Sequence, residues 1–145
     1  MLKTIGRFCL VSALAATALF ASTESAHADG CDWKSPCGEV QNDTPWGMYI
    51  TTSLGRGSDW CDVWNSNAGS SGAWKHMKCT QEYLAPGKHR GGGNVDVDAF
   101  TFSNRAYYMT YSSKSWHDKG VWTKITDLQE GKCDDRNGVP TCWIN

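Results

Sequence analysis

Six cysteines follow an N-terminal export signal, and this set limits the folds that the chain can adopt. The 145-residue sequence contains seven cysteines, of which Cys9 lies in the segment that we expect to be removed. An even number of cysteines in an exported chain predicts a disulfide framework. Zinc ribbons need a CxxC spacing, and none occurs, so the six are typical of disulfides rather than of a metal site.

The spacing of these cysteines favours sequential pairing, because short loops close at the least entropic cost. A bridge between the N-terminal and the C-terminal cysteines is the main alternative, since six cysteines allow many pairings. The predicted disulfides are Cys31 with Cys37, Cys61 with Cys79, and Cys133 with Cys142.

Residues 1–28 have the pattern of a secretory signal peptide. Lys3 and Arg7 precede a short apolar run, and Ala26-His27-Ala28 is a small-x-small cleavage site. The run is shorter than the roughly 20 residues that a membrane-spanning helix needs, so we expect cleavage rather than anchoring. The mature product, residues 29–145, is then a secreted single domain with no membrane span, in which residues 29–37 form an N-terminal arm.

The composition of the mature part excludes one class of partner. It contains all eight tryptophans, and their large buried area per residue compensates for few leucines and isoleucines. It carries 12 basic and 14 acidic side chains, after Lys3, Arg7 and Glu24 are removed, and it has no basic stripe. Nucleic-acid binding needs a positive footprint that neutralises phosphates, so we exclude it.

Apolar residues alternate with a period of two and show no helical periodicity. Turn residues separate the alternating segments, and Ala85-Pro86-Gly87-Lys88 fits a type II turn. We therefore predict an all-β fold, an antiparallel β-sandwich or small barrel with three disulfides. The predicted strands, about eight in number, cover 38–43, 46–53, 60–65, 74–84, 94–102, 106–112, 120–127 and 140–144.

Tryptophans cluster around the second predicted disulfide. If Cys61 and Cys79 join neighbouring strands, alternation places the other side chains of those strands on the opposite face. Flat rings beside polar groups suit stacking on sugars or anchoring a protein partner. Burial beneath a second sheet is the alternative, because Trp is highly buried on average. The candidate binding residues are Trp60, Trp64, Trp74 and His76.

Asp96 and Asp98 are two apart on a predicted strand and point to the same side. Carboxylate oxygens are calcium ligands, so the pair is a candidate calcium site. A solvated strand face is the alternative, since Asp is mostly exposed. The sequence predicts no other cofactor.

Catalytic motifs are absent from the mature sequence. The histidines are not in an HExxH arrangement, no G-x-S-x-G surrounds a serine, and paired cysteines leave no free thiol. The pattern favours a protein without enzymatic activity. A small secreted hydrolase and a protease inhibitor presenting a loop at 61–79 are alternatives.

Three stretches carry a resemblance to a known group of proteins: Trp60-Cys61-Asp62-Val63-Trp64-Asn65, Leu84-Ala85-Pro86-Gly87 and Asp96-Val97-Asp98-Ala99-Phe100-Thr101-Phe102. They resemble small secreted actinobacterial β-proteins with disulfides and unassigned function. Some such proteins are adaptor subunits of extracellular toxin assemblies, the umbrella toxin particles, and the resemblance implies a role in protein interaction. We therefore expect a secreted, non-enzymatic module that contacts another extracellular protein. A carbohydrate- or cell-wall-binding module that uses exposed Trp is the alternative.

Overall fold

The computed structural model describes residues 31, 36–67, 73–110 and 115–145. The predicted signal peptide and most of the predicted N-terminal arm lie outside these residues. Within them all regular elements are strands, and no helix is long and apolar enough to cross a membrane. The strands are β1 Glu39–Asp43, β2 Met48–Thr51, β3 Asp59–Val63, β4 Lys75–Cys79, β5 Glu82–Leu84, β6 Lys88–Gly91, β7 Ala99–Thr101, β8 Tyr107–Met109, β9 Ser115–His117, β10 Val121–Lys124, β11 Glu130–Arg136 and β12 Val139–Ile144.

The strands form two six-stranded sheets that pack as a sandwich. Sheet I has the order β6-β1-β11-β12-β8-β9, and sheet II has the order β4-β3-β10-β7-β2-β5. The predicted all-β sandwich with three disulfides is confirmed. Both sheets are mixed rather than purely antiparallel, because β1 with β11, β12 with β8 and β3 with β10 run parallel.

The main core lies between the two sheets. Met48, Ile50 and Phe100 enter it from sheet II, and Val40 and Tyr107 enter it from sheet I, all fully buried. Gly131 in β11 allows sheet I to lie close to sheet II at this point, because a Cβ there would lie 2.8 Å from the Phe100 ring. Alternating apolar residues on both inner faces thus build one core, as expected for packed sheets.

A second, smaller core covers the outer face of sheet II. It contains Leu54, the Cys61–Cys79 disulfide and Trp122. Ala99 in β7 belongs to this core, whereas the next residue, Phe100, belongs to the main core. Both faces of β7 are therefore covered.

The disulfides follow the predicted sequential pairing. Bonds join Cys31 with Cys37, Cys61 with Cys79, and Cys133 with Cys142. Cys133 and Cys142 lie directly opposite each other in the β11–β12 pair, and Cys61 and Cys79 join adjacent strands diagonally. This disulfide lies on one face of the β3–β4 pair, so the side chains of opposite parity, Trp60, Asp62, His76 and Lys78, lie on the other face.

Several strands differ from the sequence prediction. The predicted strand 74–84 is split into β4 and β5, which lie at opposite edges of sheet II. Strands β6, β9 and β11 were not predicted, because their residues are polar or lie at a solvated edge and show little apolar alternation. The predicted turn at 85–88 is confirmed, since the Lys88 N–H donates to the Ala85 carbonyl over 3.2 Å and Gly87 has a φ of 69°.

Candidate binding site beyond the edge of the first sheet

At one edge, the outer strands of the two sheets lie together. At the other edge, sheet II continues past the last strand of sheet I. Arg90 of β6 forms a 3.2 Å ion pair with Glu82 of β5, so the two edge strands lie together there. Further along, the Tyr107 hydroxyl of β8 contacts Thr123 Oγ1 of β10 at 2.7 Å. These contacts place β6 beside β5 and β8 over β10.

The last such contact involves β9, the final strand of sheet I. The His117 ring stacks on Trp64, directly after β3, with 4.5 Å between ring centroids and an interplanar angle of 25°. Sheet II continues past this point with the rest of β3 and with β4. The inner face of the β3–β4 pair therefore extends beyond the cover that sheet I provides.

Four side chains form this uncovered surface, which we call the open face: Trp60, Asp62, His76 and Lys78. Trp60 and Asp62 have the same strand parity as Trp64, which faces the core. In the β3–β4 register Trp60 lies opposite Lys78, and Asp62 lies opposite His76. Trp60 is 49% exposed, Asp62 and His76 are exposed, and Lys78 is partly buried.

Trp60 is held in place by its neighbours on β4. The His76 ring stacks on it at 4.3 Å between centroids and 9° between planes, and Lys78 Nζ lies 4.0 Å from its centroid. The Trp60 ring therefore contacts both side chains, while 49% of the residue remains exposed.

An ion pair completes the open face. His76 Nδ1 contacts Asp62 Oδ1, and both side chains are more than half exposed. Exposed ion pairs contribute little to stability, about 0–1 kcal/mol. The contact between His76 and Asp62 therefore adds little to the stability of the fold.

Trp64 does not join this surface, which corrects the sequence prediction. It is only 4% exposed, and its indole N–H donates to Thr123 Oγ1 at 2.9 Å. The strand ends at Val63, and the Asn65 side-chain amide exchanges two hydrogen bonds with Lys124 of β10. These bonds hold the chain against β10, so Trp64 lies under His117 rather than beyond it.

Two further tryptophans are more exposed than Trp60. Trp74 directly precedes β4 and is 62% exposed, so it borders the open face. Trp116 in β9 is also 62% exposed and contacts Tyr108 on the outer side of sheet I, with ring centroids 5.5 Å apart. The sequence prediction missed Trp116, because no apolar alternation marks β9 as a strand.

Asp96 and Asp98 have structural partners, and the structure gives the calcium hypothesis no support. Asp96 accepts the Gly38 N–H at 2.7 Å, and Asp98 accepts the Leu54 N–H at 2.8 Å. No group of three or more His, Cys, Asp or Glu side chains in the described ranges is placed to hold a metal ion. Each carboxylate therefore fixes a loop by accepting a hydrogen bond from a backbone N–H.

Burial raises the pKa of Asp98 to about 6. The hydrogen bond from Leu54 and the nearby Lys124 oppose this shift, while Asp96 and Asp127 add to it. Burial likewise raises the pKa of Asp96. Asp98 therefore ionises near pH 6, where an ordinary aspartate is already negatively charged.

The three histidines in the described part of the chain occupy different settings. His76 meets Asp62 on the open face rather than in a cleft, and His89 is exposed on β6. His117 is buried, and its Nε2 makes a 2.9 Å hydrogen bond with Ser115 Oγ. Burial lowers the pKa of His117, and the neighbouring Asp118 opposes this shift. The tip of the 61–79 segment, where a protease-inhibitor loop was predicted, lies outside the described residues.

Comparison with known protein families, with curated proteins and with solved structures finds no significant match for this chain.

Proposed function

We propose that the chain is a secreted, non-enzymatic binding module whose partner is another extracellular protein. The signal-peptide pattern of residues 1–28 and the three disulfides support export. The resemblance to small secreted actinobacterial proteins of unassigned function, some of which are adaptors, favours the same role. The open face is the proposed contact surface.

The observation that carries the proposal is the fixed position of Trp60 in solvent. Tryptophan is enriched among the residues that dominate binding energy at protein interfaces. A side chain that must be ordered on binding loses rotamer freedom, which weakens the complex. Since His76 and Lys78 already contact the Trp60 ring, this anchor is ordered before a partner arrives.

The geometry supports a protein partner better than a sugar. The carbohydrate hypothesis requires Trp60, Trp64 and Trp74 to present coplanar open rings. Trp64 is buried, and the His76 ring already stacks on a face of the Trp60 ring, so the three tryptophans do not form the open platform that this hypothesis needs. The partly exposed indole and the mixed charges of Asp62 and Lys78 suit a protein surface that offers both apolar and polar groups.

Site-specific photocrosslinking tests the proposal. A benzophenone amino acid replaces Trp74, beside the open face, and the oxidised mature protein is irradiated in culture fluid of the producing organism. We expect one secreted protein to be crosslinked, and we expect Trp60→Ala to abolish its capture. The matched control places the same crosslinker at Tyr83, which is also exposed but lies on β5, at the other edge of sheet II.

Each outcome decides the proposal. Capture from position 74 that depends on Trp60 and is absent from position 83 supports it. Capture that is equal from both positions, or that is unchanged by Trp60→Ala, contradicts it. Retention on insoluble polysaccharide that Trp60→Ala abolishes, without any crosslinked protein, would establish the carbohydrate alternative instead.

A further inference from the structure

The β11–β12 hairpin ends in a two-residue loop made of Asn137 and Gly138. Arg136 and Val139 form the last pair of the ladder, so these two residues alone connect the strands. Asn137 has a φ of 57° and Gly138 a φ of 82°, and both are exposed. Positive φ at both central positions is the type I′ turn, for which Asn-Gly is a preferred sequence.

An Asn-Gly pair has a chemical reactivity of its own. The backbone nitrogen of Gly138 can attack the side-chain carbon Cγ of Asn137. The N–Cγ bond forms, the Cγ–Nδ2 bond breaks, and the side-chain nitrogen leaves as ammonia with the proton of the Gly138 amide. Water then opens the cyclic succinimide at either carbonyl, which gives aspartate or isoaspartate.

The sequence offers this reaction at a single unhindered position. Glycine leaves its own amide nitrogen open to approach, because it has no Cβ. Asn137-Gly138 is the only Asn-Gly pair among the 145 residues. The other asparagines of the chain that have a following residue precede side chains that crowd the nitrogen. Asn137 is therefore the asparagine most prone to ring closure.

The conformation of the turn opposes ring closure. A residue in the left-handed region has a ψ of about +47°. At this angle the Gly138 nitrogen is turned almost directly away from the Asn137 Cβ across the Cα–C bond. Ring closure needs both atoms on the same side, so this bond has to rotate and the turn has to open first.

Asp135 adds a second restraint, which acts on the attacking nitrogen. The Gly138 N–H donates to Asp135 Oδ1 over 2.7 Å. A hydrogen bond to a carboxylate stabilises the protonated amide, and such charge-assisted bonds are stronger than neutral ones. The nitrogen attacks only after it gives up this proton. The bond therefore lowers the reactivity of Gly138 and holds the loop in the turn.

We propose that Asn137 is a site of spontaneous covalent modification, its conversion to aspartate and isoaspartate, and that Asp135 restrains this conversion in the folded protein. The inference goes beyond the proposed function and does not depend on the open face. Isoaspartate lengthens the main chain by a methylene group, so the two-residue turn is lost. Either product adds a negative charge close to Asp135, while the Cys133–Cys142 disulfide still joins the two strands.

Peptide mapping by mass spectrometry tests the proposal on the oxidised mature protein, incubated at mildly alkaline pH. Asp135→Ala removes the acceptor, and we expect conversion of Asn137 about tenfold faster than in the unaltered protein. Asp135→Asn is the matched control, because it keeps an acceptor oxygen and should react more slowly than Asp135→Ala. Asn137→Gly keeps a sequence that suits the type I′ turn and should give no product.

The reduced and unfolded protein gives the rate without either restraint. We expect Asn137 to react faster there than in the folded protein, because the unfolded chain rotates freely about the Cα–C bond. Asn94 and Asn104 are internal controls, since both are exposed and precede Val95 and Arg105. They should convert more slowly than Asn137 in the unfolded chain.

Each contrary result overturns a stated part of the inference. Equal rates at Asn137 in the folded and the unfolded protein would show that the turn gives no protection. A slower reaction in Asp135→Ala would show that the carboxylate removes the Gly138 proton and promotes the reaction. If Asp135→Ala unfolds, amide exchange in the unaltered protein decides, because a Gly138 amide bound to Asp135 is protected and a free one exchanges rapidly.

Discussion

The Trp64 indole lies against the His117 imidazole, with 4.5 Å between ring centroids, at the point where sheet I ends above sheet II. Its N–H donates to Thr123 Oγ1, which in turn contacts the Tyr107 hydroxyl. This buried network joins both sheets at the boundary of the open face. The buried residues at this boundary therefore lie next to the residues that we propose for binding.

Trp64→Phe should destabilise the protein without changing its fold. The phenyl ring keeps a stacking surface for His117, but Thr123 loses its indole donor, so we expect a loss of about 1–3 kcal/mol. Trp64→Ala also leaves a cavity and should cost about 3–5 kcal/mol. Urea unfolding of both variants measures the difference. A negligible loss on Trp64→Phe would show that the hydrogen bond to Thr123 contributes little.

Trp60→Ala should have little effect on stability, in contrast with Trp122→Ala. Trp60 is 49% exposed and Trp122 is 2% exposed, so only the second substitution opens a cavity, at about 3–5 kcal/mol. We expect Trp60→Ala to cost about 1 kcal/mol, since surface substitutions and exposed cation–π contacts are weak. Thermal unfolding checks this. A large loss on Trp60→Ala would mean that the open face is structural.

Asp98 should make the protein less stable as pH rises from about 4 to about 6. Burial raises its folded-state pKa to about 6, so in this range the folded chain holds a proton that the unfolded chain has released. Asp98→Asn keeps an acceptor for the Leu54 N–H and removes the charge. We expect this variant to be more stable at pH 7 by about 1–2 kcal/mol, after discounting for solvent screening. A urea midpoint unchanged at pH 7 would contradict the shift.

His117 should make the protein less stable as pH falls, which is the opposite of the effect of Asp98. Burial lowers its folded-state pKa, and the neighbouring Asp118 only partly offsets this. The unfolded chain therefore binds the proton first, and stability is lost as pH falls below about 6.5. His117→Phe keeps a ring against Trp64 and cannot ionise. We expect the stability difference between the two proteins to vary with pH below that value, and a constant difference would refute the assignment.

The two buried disulfides should differ in their contribution to stability. Cys61–Cys79 and Cys133–Cys142 span 18 and 9 residues of sequence. Removing either by paired Cys→Ala substitution should cost about 2–4 kcal/mol. The longer loop should cost about 0.6 kcal/mol more, because loop entropy grows with the logarithm of length. Guanidinium unfolding gives the ranking, and a reversed order would show that core packing dominates.

Much of the fold could be predicted from the sequence, and the reasons are local. Alternation identified the all-β class, and short-loop closure identified the three pairings now confirmed. Pro86-Gly87 marked a turn that the structure contains. Strand β11 escaped prediction because Lys132, Asp134 and Asp135 interrupt its apolar pattern, although its neighbours on both sides bury its inner face.

The candidate site was predicted only in part, for a physical reason that Trp60 and Trp64 show. Parity places both on one face of β3, and the sequence contains no signal that distinguishes them. Sheet I ends between them, so His117 covers Trp64 and leaves Trp60 in solvent. Trp116 is exposed because β9 is an edge strand, which depends on sheet order.

The sequence by itself determined the cysteine framework, the strand class and the face of β3 that carries Trp60, because loop closure and side-chain alternation are local properties of a chain. Only the tertiary structure decided which tryptophans are core and which are surface. That choice depends on how far one sheet extends over the other, and this overlap is set by strand order between residues distant in sequence. The open face exists because sheet II extends past the edge of sheet I at β9.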